Sequence, residues 1–82
     1  MTTIDLTVRH EATRHMMRTL RPNPALNGIA LDISVSAWEH AVQMVTLLGD
    51  GPELTAGLRK LREAKDTFVI QALLDSGVIS GP

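Results

Sequence analysis

The chain has no cysteine and no tyrosine, and its only aromatic residues are Trp38 and Phe68. Without cysteine there are no disulfides and no thiolate metal sites, although this does not fix the compartment. With two aromatics, the core of an 82-residue chain has to be aliphatic and filled out by its four methionines. A core of that kind is near the lower size limit for a single domain, and self-association is a common way to complete it. No apolar run approaches the ~20 residues of a membrane span. No charged-then-apolar leader opens the chain, so a soluble, cytoplasmic protein is the expectation.

Net charge is also scarce, at −1, yet the charges are segregated. Arg9, Arg14, Arg18 and Arg21, with His10 and His15, make the first quarter basic against Glu11. From Pro22 to Leu58 the only basic residue is His40, while Asp32, Glu39, Asp50 and Glu53 are acidic. Arg59, Lys60, Arg62 and Lys65 then restore positive charge. Two basic blocks around an acidic middle point to an anion site built from both ends of the chain. The competing reading, two solvated helix faces, is the one that composition alone favours.

The longest periodic stretch runs from Gly51 to Ser76 and predicts a helix over 52–76, about 36 Å long at ~1.5 Å per residue. Pro52 suits a first helical position, Glu53 meets the positive end of the dipole, and Gly77 supplies a stop. Leu54, Leu58, Leu61, Phe68 and Ala72 mark its expected buried face. Gly57 and Ala64, beside that face, would admit a neighbouring helix closely. Before it, Leu31, Val35, Trp38, Val42 and Val45 form a stripe widened by Ala41, Met44 and Leu48. This predicts a helix over 31–48, opening near Asp32 or Ser34, with a face wide enough for more than one partner helix.

A shorter amphipathic helix is expected over 9–20, with Ala12, Met16 and Leu20 on its apolar side. Arg14, Arg18 and Arg21, at i, i+4 and i+7, form a basic ridge. Pro22 and Pro24 end it. Residues 1–8 read as an arm on the helices or on another protomer, and 77–82 as a loose tail. The expected fold is all-α: one domain over 1–82, a short helix plus an antiparallel two-helix hairpin, assembling as a homo-oligomeric bundle.

Catalytic signatures are missing. His10 and His15 diverge on a helix, Glu11 and His15 have no third ligand, and no glycine-rich phosphate loop or nucleophile motif occurs. No enzyme, cofactor or metal is expected. Anion binding has more support. Arg59 and Arg62 lie one turn apart on one helix edge, Thr55 adds a hydroxyl one turn earlier, and Lys60 adjoins them. Arginine's planar fork matches phosphate oxygens with two parallel bonds. Rotational symmetry would turn each side chain into a ring of donors, suited to a macrocycle carrying several phosphates. Alternatively, Arg59 and Arg62 pair with Asp66, Glu63 or a neighbour's acids.

The string G-P-E-L-T-A-G-L-R-K-L-R-E-A-K, Gly51 to Lys65, resembles the second hairpin helix of phage cyclic-oligonucleotide sponges that counter CBASS immunity, the family called anti-CBASS protein two. Glu53, Thr55, Leu58, Arg59, Lys60, Leu61, Arg62, Glu63 and Ala64 fit its succession, and the preceding helix fits in length and place. The resemblance implies a homohexamer in the host cell cytoplasm that sequesters cyclic di- and trinucleotide signals without hydrolysis. Trinucleotides would occupy threefold pockets lined by the long helices, to which Thr55, Arg59 and Arg62 would contribute. Dinucleotides would lie between protomers.

Two departures stand out. Asp66-Thr67-Phe68-Val69-Ile70 replaces an aromatic-Ala-Asn run, and Thr19-Leu20-Arg21-Pro22 lacks the aromatic and histidine that precede the first proline in many members. Arg21 could stack on a purine in their place, with Arg14 and Arg18 in the same pocket. The alternatives from other classes are a small helical nucleic-acid-binding protein and a structural or adaptor oligomer. Near-zero charge and the lack of helix-turn-helix spacing weigh against long nucleic acid as a partner.

Overall fold

A computed structural model describes residues 1–77 as three helices: α1 (Glu11–Leu20), α2 (Gly28–Leu47) and α3 (Pro52–Asp75). Among the described residues there is no strand. The all-α fold and the α2–α3 hairpin are as expected. The boundaries move by one to three residues, each for a local reason. α1 begins at Glu11 because the His10 ring caps it, Nδ1 accepting from the Ala12 N–H at 3.0 Å. It ends where Pro22 forces Arg21 into extended backbone. α2 opens at Gly28, earlier than Asp32 or Ser34, on a residue with φ +58°, which glycine adopts without a Cβ clash. α3 begins on Pro52, as read, and closes at Gly77, whose N–H donates to the Leu74 carbonyl at 3.1 Å and whose φ of +78° turns the chain off the helix, a conformation glycine takes without a Cβ clash. The rest of the expected tail, 78–82, lies outside the described residues.

The core sits at the turn end of the hairpin. Met16, Met17 and Leu20 of α1 pack on Trp38, Ala41, Val42 and Val45 of α2 and on Leu54 and Leu58 of α3. Thr13 and Met17 take the place expected of Ala12, which is exposed. The arm docks on its own chain. Ile4 and Leu6 pack against the core, the Thr2 N–H and hydroxyl donate to the Glu39 carboxylate, and the Trp38 indole N–H donates to the Thr2 carbonyl at 2.6 Å.

Other expectations for the apolar faces need correcting. Phe68 is 61% exposed and Leu48 50%, while Leu31, Val35, Leu61 and Ala72 are only half-buried. Helical spacing identified a face, but three helices do not cover both sides of the hairpin. The stripe of α2 that packs with α1 contains Trp38, Val42 and Val45; Ile29, Ile33, Ser36 and His40 form a different stripe, lining an open groove with Phe68. Gly57 is likewise open, since a Cβ there would meet nothing within 4 Å.

Asp50, in the α2–α3 turn, ties the first helix to the hairpin. It accepts from the His10 N–H (2.9 Å), the Thr13 hydroxyl (2.8 Å) and Arg9 Nε (2.9 Å). Arg9 also caps α2, which has no basic residue in its last turn: Nη1 donates to the Val45 carbonyl (2.7 Å) and Nη2 to that of Leu48 (2.8 Å). The His10 amide, then Thr13 and Arg9, hold the Asp50 carboxyl at about 2, below its ordinary 3.8. The unfolded chain therefore takes up this proton first as acid is added. The stabilisation is complete above the unfolded value and is lost as pH falls from about 4 toward 2. Asp50→Asn should lower the melting temperature at pH 7 and flatten its dependence on pH between 4 and 2. Thermal melts followed by circular dichroism across that range check both, and a variant as acid-sensitive as the parent would contradict the assignment.

Candidate anion site on the long helix

α3 carries Thr55, Arg59 and Arg62 along one edge, three and four residues apart, because 3.6 residues per turn returns such positions to neighbouring angles. Arg59 and Lys60 are exposed and Arg62 is half-buried. Lys60 follows Arg59 but is turned about 100° around the axis, off that edge. The acids that might have neutralised them are engaged elsewhere or stand apart. Asp66 accepts from Lys65 Nζ at 2.7 Å, and the Glu63 carboxylate forms no ion pair among the described residues. Among the described residues, no ion pair includes Arg59, Lys60 or Arg62. The Thr55 hydroxyl is already used, donating to the Pro52 carbonyl at 3.0 Å, so toward a ligand it offers an acceptor lone pair.

The arginines of the first block are differently placed. Arg14 and Arg18 share one carboxylate, donating to Glu11 at 2.6 and 2.8 Å. The Arg18 hydrogen bond, with the charge of Arg14 next, holds the Glu11 carboxyl below its usual range. Arg9 is committed to Asp50 and the end of α2. Arg21 lies over the Trp38 ring, 5.4 Å from its centroid, in a cation–π contact.

Within one chain the two basic groups do not converge. The groove along the hairpin is lined by none of Arg14, Arg18, Arg21, Thr55, Arg59, Lys60 or Arg62, and a small hollow beside Asp50 takes only Thr55 of them. The structural roles of Arg9 and Asp50 were not visible in the sequence. Asp50 showed only as a turn residue before Gly51-Pro52, and nothing local marked Arg9. Among the described residues, no three His, Asp or Glu side chains gather as a metal site, and no helix is long and apolar enough to cross a membrane. No protein-family model, curated protein or solved structure matches the chain.

Proposed function

We propose that the protein sequesters cyclic oligonucleotide second messengers, di- or trinucleotide, without cleaving them, as a closed homo-oligomer acting in the host cytoplasm. The observation that carries this reading is that Arg59, Lys60 and Arg62 stand on the long helix with no acid paired to them, while Asp66 beside them pairs with Lys65. The resemblance of Gly51–Lys65 to the phage sponges supports the same assignment and a hexamer. Cations that fail to converge within one chain become a ring when copies surround an axis, and a trinucleotide would present one phosphate to each copy. Arg21, exposed and in cation–π contact with Trp38, would supply a surface on which a purine could stack in a second, inter-protomer pocket. Binding more tightly than the effector, and in excess of the signal, is sufficient; no reaction is needed.

The purified protein is incubated with a panel of cyclic di- and trinucleotides, washed, heat-denatured, and its released ligand identified by chromatography and mass. At least one cyclic oligonucleotide should be recovered intact. Recovery of none, or of linear products, refutes the proposal. A preference for long DNA that falls steeply with added salt would favour the nucleic-acid alternative. The pairing of Arg14 and Arg18 with Glu11 counts against that alternative.

A further inference from the structure

Ile29, Ile33, Ser36 and His40 follow one another at steps of four, three and four, so they form one stripe of α2. Together with Ala64 and Phe68 of α3 they line a groove of about 1000 Å³. Ile29 is 71% exposed and Phe68 61%, which leaves large apolar side chains in water along the side of the hairpin away from α1. On α2 the polar residues Asp32, Ser36, Glu39, His40 and Gln43 share one arc, and Ile29 and Ile33 form the apolar edge of that arc that faces the groove.

We infer that a second copy of the chain fills this groove, its α2 antiparallel to the first about a twofold axis near Ser36, so that two hairpins form a four-helix bundle. Three features of the groove identify this occupant. The face is about 30 Å long and two helices, ~20 Å, wide, or roughly 600 Å² in projection. That projection is of the same order as the ~800 Å² per partner of a stable interface.

The second feature is charge. Asp32 and His40 both line the groove, stand four residues either side of Ser36, and form no ion pair within the chain among the described residues. An antiparallel dyad at Ser36 sets Asp32 beside the partner's His40, and His40 beside the partner's Asp32. An imidazole N–H donates to a carboxylate whether the ring is charged or neutral. A parallel pairing would set Asp32 on the partner's Asp32, which decides the direction. The third feature is size: Ser36, Ala37 and Ala64 are small where the helices would cross most closely.

This inference rests on the assembly half of the function proposed above, not on its ligand. Sedimentation velocity of the full chain at ~10 and ~100 μM should give a dimer or a multiple of two. Ile33→Glu places a carboxylate in a half-buried groove position and should weaken self-association at least tenfold, with helicity unchanged by circular dichroism. Asp32→Lys should weaken it too, and Asp32→Lys combined with His40→Asp should restore it. A monomeric parent at the higher concentration, an unchanged mass for Ile33→Glu, or a double exchange that restores nothing overturns the interface. Retention of cyclic nucleotides is measured on the same samples. If ligand is retained while Ile33→Glu leaves the mass unchanged, the interface is wrong and the nucleotide reading stands. An even-numbered oligomer that retains no ligand supports the interface and removes that reading.

Discussion

Arg62→Ala should lower affinity for a cyclic trinucleotide by about three powers of ten, and Arg59→Ala by a similar or smaller factor. The size follows from the proposed threefold symmetry. A charge-assisted hydrogen bond is worth roughly 1.5–3 kcal/mol, and around a threefold axis one substitution removes one from each of three phosphates. Three losses at the low end come to ~4.5 kcal/mol, and each ~1.4 kcal/mol is a factor of ten. Arg62 is half-buried and Arg59 exposed, so Arg62 works against less water and its loss should cost more.

Neither residue holds another part of the described chain through an ion pair, and alanine is a good helix former. Helicity and oligomer mass should therefore stay at the parent's values, which separates a lost contact from a lost fold. Lysine in place of either arginine should rescue only in part, restoring charge without the planar fork. Under the two-pocket reading proposed above, dinucleotide affinity should change little. Calorimetry with both ligands measures all of this. If both alanine variants bind trinucleotide as tightly as the parent, the long-helix assignment is wrong.

The residue types at this site were legible in the sequence, but their state was not. Arg59 and Arg62 could be placed on one helix edge because 3.6-residue periodicity is a local property. Whether Asp66 would take Arg62 or Lys65 depends on rotamers and neighbours, and it takes Lys65. The hairpin was legible for the same local reason, with Pro52 and Gly77 bounding its second helix. Its first helix starts earlier than read because Asn27-Gly28 resembles a loop, and only a left-handed glycine turns that loop into a helix start.

Phe68 shows a limit of another kind. Its spacing with Leu54, Leu58 and Leu61 marks an apolar side, but periodicity carries no information on whether a partner occupies that side. The anchoring of Arg9 was out of reach altogether, since its partners Val45, Leu48 and Asp50 are 36 to 41 residues away. Contacts at that separation come from the packing of helices, and a window of sequence does not contain them.

Trp38→Ala should be the most destabilising single change in the described chain. Trp38 is the largest fully buried side chain, 1% exposed, and it belongs to the one cluster where α1, α2 and α3 meet. It also holds the arm, through the indole N–H to the Thr2 carbonyl at 2.6 Å, and carries Arg21 on its ring. Truncating a buried tryptophan costs ~3–5 kcal/mol, the transfer free energy plus the cavity left behind. At ~0.05–0.15 kcal/mol per residue, a chain this short holds only about 4–12 kcal/mol in total. The variant therefore loses between about a quarter and all of its stability, and for a chain of this size the melting temperature should fall by ~15–30 °C.

Trp38→Phe separates the two contributions. It keeps most of the ring volume and gives up the N–H, leaving a Thr2 carbonyl on an exposed residue that water can reach, so the penalty for an unpaired acceptor is small. A fall of ~5–10 °C is expected for it, most of that from lost packing. Both variants have to be melted at one protein concentration, because self-association would make the midpoint depend on it. Should the alanine variant melt within a few degrees of the parent, Trp38 is not where the three helices are joined. Should phenylalanine cost as much as alanine, the hydrogen bond to the arm matters more than the volume of the ring.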